Sequence, residues 1–194
     1  MSDTTESMSK DGLKAVREWV TVVGVALLIA FLVRGFVLQQ FYISGPSMES
    51  TMYQDNRVLV NKLSYRLHDI HRGDVVVFDR VTTDGVAVQH DDLIKRVIGL
   101  AGDTISISKC VVSVNGKTID EPYINDYDLA QSNLDDRCRI PDMSATKVAE
   151  GQLFVMGDNR PQSFDSRMFG TIDESLVIGR AFVIIWPIGS FHWL

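Results

Sequence analysis

The chain has 194 residues, of which 45% are hydrophobic and 23% charged, as in an ordinary folded protein. This composition excludes a wholly disordered chain, a collagen and a long coiled coil. A formal net charge of -6 argues against a protein that binds nucleic acid through a basic surface. The 2 cysteines are too few for a disulfide scaffold or for a zinc site built from cysteines alone.

Apolar residues concentrate near the N-terminus, where residues 19–38 carry a single charge, that of Arg34. A helix of this length rises about 30 Å, the thickness of the hydrocarbon core of a bilayer. Apolar side chains on every face favour a membrane span over a buried core helix. No small-residue cleavage site follows directly, which favours an uncleaved anchor over a signal peptide. We predict a tail over 1–16, a transmembrane anchor over 17–38 and a domain over 39–194.

The charges that flank the anchor predict its orientation. Lys10, Lys14 and Arg17 precede it, whereas residues 39–53 contain neither lysine nor arginine. The positive-inside rule therefore places the N-terminus in the cytoplasm and residues 39–194 outside, in a single-pass protein of the cell membrane. The polar residues of the tail predict disorder there.

Beyond the anchor the sequence predicts a mainly β domain. Six segments are short and rich in valine and isoleucine, as strands are: 57–62, 74–78, 93–100, 104–114, 153–156 and 177–186. Asn115-Gly116 indicates a tight hairpin turn. No long amphipathic helix is predicted after residue 40.

Residues from about 117 to 151 are acidic and poor in apolar side chains, and they indicate an inserted excursion or small subdomain. Cys110 lies just before this excursion and Cys138 within it. Outside the cytoplasm the pair can form a disulfide that closes a loop of about 28 residues. Two buried free thiols are the alternative.

Three segments carry residues suited to chemistry. Ser47 follows Gly45 and Pro46, which indicate a turn that presents a hydroxyl beside free backbone N–H groups. Lys95 interrupts an apolar strand pattern, although burial of an ammonium group is costly. Residues 154–167 combine turn formers and charges directly after a strand. Each signal alone is weak, because a loop serine and a surface lysine are common.

In this order, the segments resemble the bacterial type I signal peptidases (leader peptidases), which are membrane-bound Ser/Lys proteases of protein export. The resemblance covers residues 17–194 and rests on five boxes: 44–48, 71–78, 94–103, 157–167 and 179–181. A single anchor is similar to the shorter enzymes of Gram-positive bacteria. The resemblance implies a β-rich catalytic domain of the signal-peptidase type with an inserted small subdomain.

The family mechanism implies that Ser47 is the nucleophile and Lys95 the general base. A serine hydroxyl needs a base to take its proton, and a lysine can do so only when apolar surroundings lower its pKa. The Ser47 backbone N–H would form the oxyanion hole. Some relatives add a serine hydroxyl two positions earlier, where this chain has Gly45, so the second donor is open.

The resemblance also implies roles for other residues. Ser163 would orient the lysine amine, Asp165 and Arg167 would form a supporting ion pair, and Asp158 and Arg96 would be structural. Small apolar pockets would accept Ala-X-Ala-like residues before the cut. The residues expected to line these pockets are Phe41, Ile43, Met48, Met52 and Ile94, with plain core packing as the alternative. The expected partners are exported preproteins and the lipid bilayer, with no nucleic acid, metal or cofactor.

Two other functions are compatible with parts of this sequence. The first is a catalytically inactive exported β module that keeps the fold and serves binding or scaffolding. Hydrogen-bond reach between Ser47 and Lys95, about 2.6–3.2 Å, separates this alternative from the enzyme. The second is a self-cleaving Ser/Lys regulator, which would carry a DNA-binding domain where this chain has an anchor.

Overall fold

The structure, a computed structural model, describes residues 3–83, 87–124 and 137–194. The chain divides into two compact units, Met1–Leu38 and Gln39–Leu194. The first unit is one long helix, α1 (Asp3–Leu32), which continues as a π-helical turn over Val33–Val37. Its stretch Lys14–Gly35, 22 residues, is long and apolar enough to cross a membrane.

Helix α1 starts earlier than the sequence predicts. It begins at Asp3, so most of the tail that we expected to be disordered is helical. Nucleation is the costly step in helix formation, whereas each further residue adds a backbone hydrogen bond to an existing helix. The apolar span can therefore extend a helix into a polar segment that would not form one alone.

Among the described residues the rest of the chain forms short strands and two short helices, α2 (Ser64–Leu67) and α3 (Ser166–Phe169). The strands are β1 (Leu38–Tyr42), β2 (Arg57–Asn61), β3 (Val75–Thr83), β4 (Val88–Gly99), β5 (Thr104–Ser108), β6 (Val111–Val114), β7 (Lys117–Thr118), β8 (Met143–Lys147), β9 (Gln152–Met156), β10 (Ile172–Asp173), β11 (Val177–Trp186) and β12 (His192–Trp193). The protein is therefore mainly β, as predicted.

The strands form two sheets. The larger sheet has the order β1-β2-β11-β3-β4-β9-β10, with β12 beside β11. The smaller sheet has the order β7-β6-β5-β8. The strand pairs from β2 to β10 and those of the smaller sheet are antiparallel.

Strand β3 lies at the centre of the larger sheet and has apolar side chains on both faces. Val75 and Val77 belong to a buried cluster with Met48 and Met52 from the chain after β1. Val76 belongs to a second cluster, which lies on the opposite face. Burial on both faces explains why the first four residues of this strand, Val75 to Phe78, form a continuous apolar run rather than an alternating one.

The predicted strands agree best with the structure where the residues are buried. The segment 177–186 is β11 as predicted, and Asn115 and Gly116 form the β6–β7 turn with φ of 53° and 77°. Strands β3 and β4 extend beyond the predicted segments, through outer halves that pair with each other. These outer halves are largely polar and exposed, so they lack the apolar pattern on which the prediction depends. The predicted strand 104–114 is two strands, β5 and β6.

The smaller sheet contains residues on both sides of the predicted start of the excursion. It begins at Thr104 and includes β8, and residue 117 is the first residue of β7 in the β6–β7 hairpin. Its strands cover a buried cluster that includes Ile105 and Val112. Cys110 and Cys138 are joined as a disulfide with their Cα atoms 5.7 Å apart. Residues 125–136 of the predicted excursion lie outside the described residues.

Candidate active site

Ser47 lies in a 3-10 turn, Pro46–Met48, that follows an extended Gly45. Proline is suited to the first position of such a turn because its fixed φ fits and it lacks an N–H group. Met48 is wholly buried and fixes the turn to the core, whereas Ser47 is half-buried. The first N–H groups of a helical turn have no acceptor within the turn. The Ser47 N–H can therefore bind a developing oxyanion.

Lys95 lies in β4 opposite Val76 of β3, and its side chain is only 2% exposed. Its Nζ donates hydrogen bonds to Ser47 Oγ and to the Ile94 carbonyl oxygen, each 2.8 Å long. Burial lowers the pKa of Lys95 to about 8 from an ordinary value of 10.5. A neutral amine is then accessible near neutral pH, and at the same distance it can accept the Ser47 proton.

The segment after β9 packs directly on the Ser47 turn. A Cβ atom at Gly157 would lie 2.2 Å from the Ser47 carbonyl oxygen and 2.3 Å from Ser163 Oγ, so only glycine fits there. The Asn159 backbone N–H donates to the Ser47 carbonyl oxygen at 3.2 Å, and its Nδ2 donates to the Pro46 carbonyl oxygen at 3.0 Å. Asn159 thus holds two successive carbonyls of the turn.

No sequence pattern indicates an individual role for Asn159. It lies within the box 157–167, but its hydrogen-bond partners in the Ser47 turn are more than 100 residues away in the chain. The available signal was an asparagine in a turn directly after a buried strand. Asparagine amides commonly bond nearby backbone groups in turns, but no local pattern indicates a distant partner.

Asp165 and Arg167 form a buried ion pair behind Gly157. Arg167 Nε and Nη2 donate to the two carboxylate oxygens, each at 2.8 Å, and Asp165 Oδ2 also accepts the Gly157 N–H at 3.0 Å. Burial alone would raise the pKa of Asp165, but the hydrogen bonds and charge of Arg167 hold it below the ordinary value. The carboxylate therefore stays ionised and fixes the Gly157 backbone.

Arg96 and Asp158 form a second buried ion pair. Arg96 Nε and Nη2 donate to the two Asp158 oxygens at 2.9 and 2.7 Å, and Thr51 Oγ1 donates to Oδ2 at 2.6 Å. Strand alternation places the Arg96 and Lys95 side chains on opposite faces of β4. The charges of Asp165 and Asp158 both act to raise the pKa of Lys95, and each carboxylate is paired with its own arginine.

The resemblance implies that Ser163 orients the Lys95 amine. The Ser163 side chain is fully buried, and its hydroxyl is, after Arg167, one of the groups that act to lower the pKa of the Asp165 carboxylate. The role of Ser163 at the Lys95 amine stays a prediction. The hydrogen bonds of that amine go to Ser47 and to the Ile94 carbonyl oxygen.

The five residues expected to line substrate pockets all belong to one apolar cluster. Met48 and Met52 are fully buried and Ile43 is 4% exposed, which fits the alternative of core packing. Phe41 and Ile94 are only partly buried and border the same cluster. Pocket lining stays a prediction for all five residues.

The described residues contain no group of three or more histidine, cysteine or carboxylate side chains that could hold a metal ion. The arrangement at Ser47 consists of an alcohol, a buried amine of lowered pKa and a backbone N–H. Such a set can activate a hydroxyl as a nucleophile and stabilise an oxyanion. It suits acyl transfer by a serine hydrolase.

Comparison with known proteins identifies the family. Residues 16–186 match the family described as signal peptidase, peptidase S26. Signal peptidase IB of Staphylococcus aureus (strain MRSA252) is 35% identical over 188 residues, which cover 93% of this chain and 94% of that protein. A probable signal peptidase I-2 of Synechocystis is 39% identical over 165 residues, which cover 84% of this chain and 70% of that protein. The chain therefore belongs to the S26 family of signal peptidases, which are serine peptidases.

Among solved structures, a signal peptidase I from Enterococcus faecalis V583 matches with a TM-score of 0.47 and 29% sequence identity. The match covers 58% of this chain and 97% of that one.

Proposed function

We propose that this chain is an active, membrane-anchored endopeptidase that removes N-terminal signal peptides from exported preproteins, with Ser47 as nucleophile and Lys95 as general base. The observation that carries the proposal is the 2.8 Å separation between Lys95 Nζ and Ser47 Oγ, with the lysine 2% exposed. This distance lies within the range in which a base can take a proton.

The reaction would proceed by two acyl transfers. The neutral Lys95 amine takes the Ser47 proton while Oγ attacks the carbonyl carbon of the scissile peptide bond. The Ser47 N–H binds the resulting oxyanion. The Lys95 ammonium then returns the proton to the leaving amine as the C–N bond breaks, which leaves an acyl-enzyme. The same amine then takes a proton from water, and the resulting hydroxide attacks the acyl carbon. The Lys95 ammonium returns this proton to Ser47 Oγ as the ester bond breaks, which releases the signal peptide with a C-terminal carboxyl group and restores Ser47.

The substrate would be an extended segment with small residues at the first and third positions before the cut. Phe41 and Ile94 are two of the partly buried apolar side chains that pack against the cluster containing Met48, and they can contact these residues. A shallow apolar surface rejects large residues by steric overlap. The relatives named signal peptidase support preproteins as the substrate class.

The helix over Lys14–Gly35 would anchor the protein in the cell membrane as a single span. The lysines and arginine before it favour a cytoplasmic N-terminus and an extracytoplasmic catalytic domain. A preprotein that emerges from the membrane would then meet Ser47 on the side to which it is exported.

The alternative is an inactive binding or scaffold module with the same fold. Such a module has no need to bury a lysine, whose desolvation costs free energy. Retention of both Ser47 and Lys95, within hydrogen-bond distance, favours the enzyme.

The test uses the full-length chain in detergent micelles with a preprotein that carries an Ala-X-Ala cleavage site. We expect Ser47→Ala and Lys95→Met each to lower kcat/KM by about 10⁴-fold or more. The matched controls Ser108→Ala and Lys147→Met change an exposed residue of the smaller sheet and should cleave like the parent. Binding of the preprotein without Ser47-dependent cleavage would support the scaffold instead.

A further inference from the structure

A short segment that follows the smaller sheet's strand β7 contacts residues close in the chain to both Ser47 and Lys95. We call residues 121–124 the strap; it follows β7 and reads Glu-Pro-Tyr-Ile. The Tyr123 carbonyl oxygen accepts a 2.7 Å hydrogen bond from Ser50 Oγ, three residues beyond Ser47. The strap is thereby attached to the chain that carries the nucleophile turn.

Two side chains of the strap, those of Tyr123 and Glu121, each contact a buried arginine. The Tyr123 ring lies over Arg96, with the guanidinium carbon 4.0 Å from the ring centroid. The Glu121 carboxylate accepts hydrogen bonds from both terminal nitrogens of Arg160, which is 3% exposed. Tyr123 Oη also donates to Glu121 Oε1 at 2.9 Å, so the two strap side chains are joined.

Both arginines form hydrogen bonds with residues 157 and 158 of the segment that packs on the Ser47 turn. Arg96 holds the Asp158 carboxylate by two hydrogen bonds, and Arg160 Nε donates to the Gly157 carbonyl oxygen at 3.1 Å. Asn159, the next residue, bonds the Ser47 turn. The strap therefore contacts both arginines that hold Gly157 and Asp158. One of them, Arg96, is also the residue directly after Lys95 in the chain.

The contact between the strap and Arg96 also bears on the pKa of Lys95. The Asp158 charge acts to raise the pKa of Lys95, and Arg96 is the cation that pairs with Asp158. A guanidinium packed against an aromatic face is held by attraction to the ring in addition to its ion pair. If the ring were lost, Arg96 would be freer to leave Asp158, and the carboxylate would favour the ammonium form of Lys95 more strongly.

We propose that Glu121 and Tyr123 are positioning residues for the cleavage reaction: through Arg160 and Arg96 they hold the 157–159 segment, and with it the Ser47 turn, in register with the Lys95 amine. This inference rests on the peptidase function proposed above. Neither residue needs to touch the substrate, so the strap should affect the chemical step more than substrate binding.

The test compares Tyr123→Leu with Tyr123→Phe in the full-length chain, with the same preprotein in micelles. For Tyr123→Leu we expect kcat to fall about tenfold with KM within twofold, and the acid limb of kcat/KM against pH to move to higher pH. Tyr123→Phe keeps the ring and should restore both values to near the parent. Tyr53→Leu, which removes an exposed tyrosine, is the matched control and should behave like the parent.

The thermal unfolding midpoint of each variant separates positioning from loss of fold. If Tyr123→Leu unfolds, Glu121→Gln carries the test, since it removes the charge at nearly the same size and should lower kcat about fivefold. The strap proposal is overturned if the folded variants keep the parental kcat and pH profile, or if Tyr123→Phe loses as much as Tyr123→Leu. Absence of Ser47-dependent cleavage in the parent would overturn both proposals, whereas a cleaving parent with unaffected variants overturns only this one.

Discussion

Lys95 Nζ lies 2.8 Å from Ser47 Oγ, although the two residues are 48 positions apart in the chain. A central strand supplies the lysine, and a one-turn 3-10 helix supplies the serine. The lysine can act as a base only while its amine is neutral, so the burial of its side chain is as important as the distance.

The pH dependence of cleavage should follow the Lys95 amine. Its pKa is lowered to about 8, so the ammonium form dominates below that pH and cannot accept the Ser47 proton. We expect kcat/KM to rise about tenfold per pH unit below this value and to level off above it. A limb near pH 6.5, the ordinary value for histidine, would contradict the assignment.

Replacement of Lys95 by methionine should stabilise the folded protein at neutral pH. The folded pKa lies below the unfolded one, so at pH 7 burial of the protonated lysine costs about 3 kcal/mol in unfolding free energy. Between pH 8 and 10.5 the unfolded chain binds more protons, and the stability of the parent rises with pH. The advantage of Lys95→Met should therefore shrink over this range.

Denaturant unfolding of the parent and Lys95→Met at pH 7 and pH 10 measures this difference. The control Lys147→Met, at an exposed position, should show little change at either pH. An equal difference at both pH values would mean that desolvation of the charge is not its cause.

Asn159 should affect turnover by holding the Ser47 turn. Asn159→Ala removes the Nδ2 donor to the Pro46 carbonyl oxygen, and a lost hydrogen bond of this kind costs about 1 kcal/mol of stability. We expect kcat to fall about 10- to 100-fold, since small misplacements of reacting groups cost rates of this order. KM should change little, because the side chain is buried and bonds the protein itself.

Steady-state kinetics of Asn159→Ala beside Gln162→Ala, an exposed side chain in the same turn, provide the check. A change confined to KM would instead assign Asn159 to substrate binding.

Gly45 offers a place for a second oxyanion donor. Its backbone is extended, with φ of -143° and ψ of 162°, and a Cβ atom there would meet nothing within 4 Å. A serine therefore fits without strain. We expect Gly45→Ser to raise kcat at least about threefold by adding a hydroxyl donor, and Gly45→Ala to leave it unchanged. Equal rates for the two variants would show that the serine hydroxyl supplies no oxyanion donor.

Local patterns in the sequence indicated the elements whose residues are buried. Strand β11 and the Asn115-Gly116 turn were predicted correctly, because apolar runs and turn chemistry are local signals. The outer halves of β3 and β4 were missed, since polar residues paired across a hairpin give no apolar pattern. The early start of α1 was missed because helix extension from the apolar span is not a property of the tail itself.

For the candidate site, the sequence supplied residues but not their contacts. The ordered boxes indicated Ser47 and Lys95, and the structure places them in hydrogen-bond contact. The hydrogen bonds of Asn159 to the Ser47 turn join distant segments, and no spacing rule indicates them. Met48 and Met52 are fully buried, whereas Phe41 and Ile94 are only partly buried. Which residues of this apolar group are exposed depends on tertiary packing, which no local pattern in the sequence specifies.

Titration of the Lys95 side chain by NMR measures directly whether its amine loses its proton while the protein is folded. The full-length chain in micelles, with ¹³C-labelled lysine, gives a Cε signal that the Lys95→Met variant assigns by its disappearance. We expect a midpoint near pH 8, so that the amine loses its proton beside Ser47 at a pH where the domain is folded. A midpoint at the ordinary value of 10.5 would contradict it, because the group at Ser47 would then be a permanent cation and not a base.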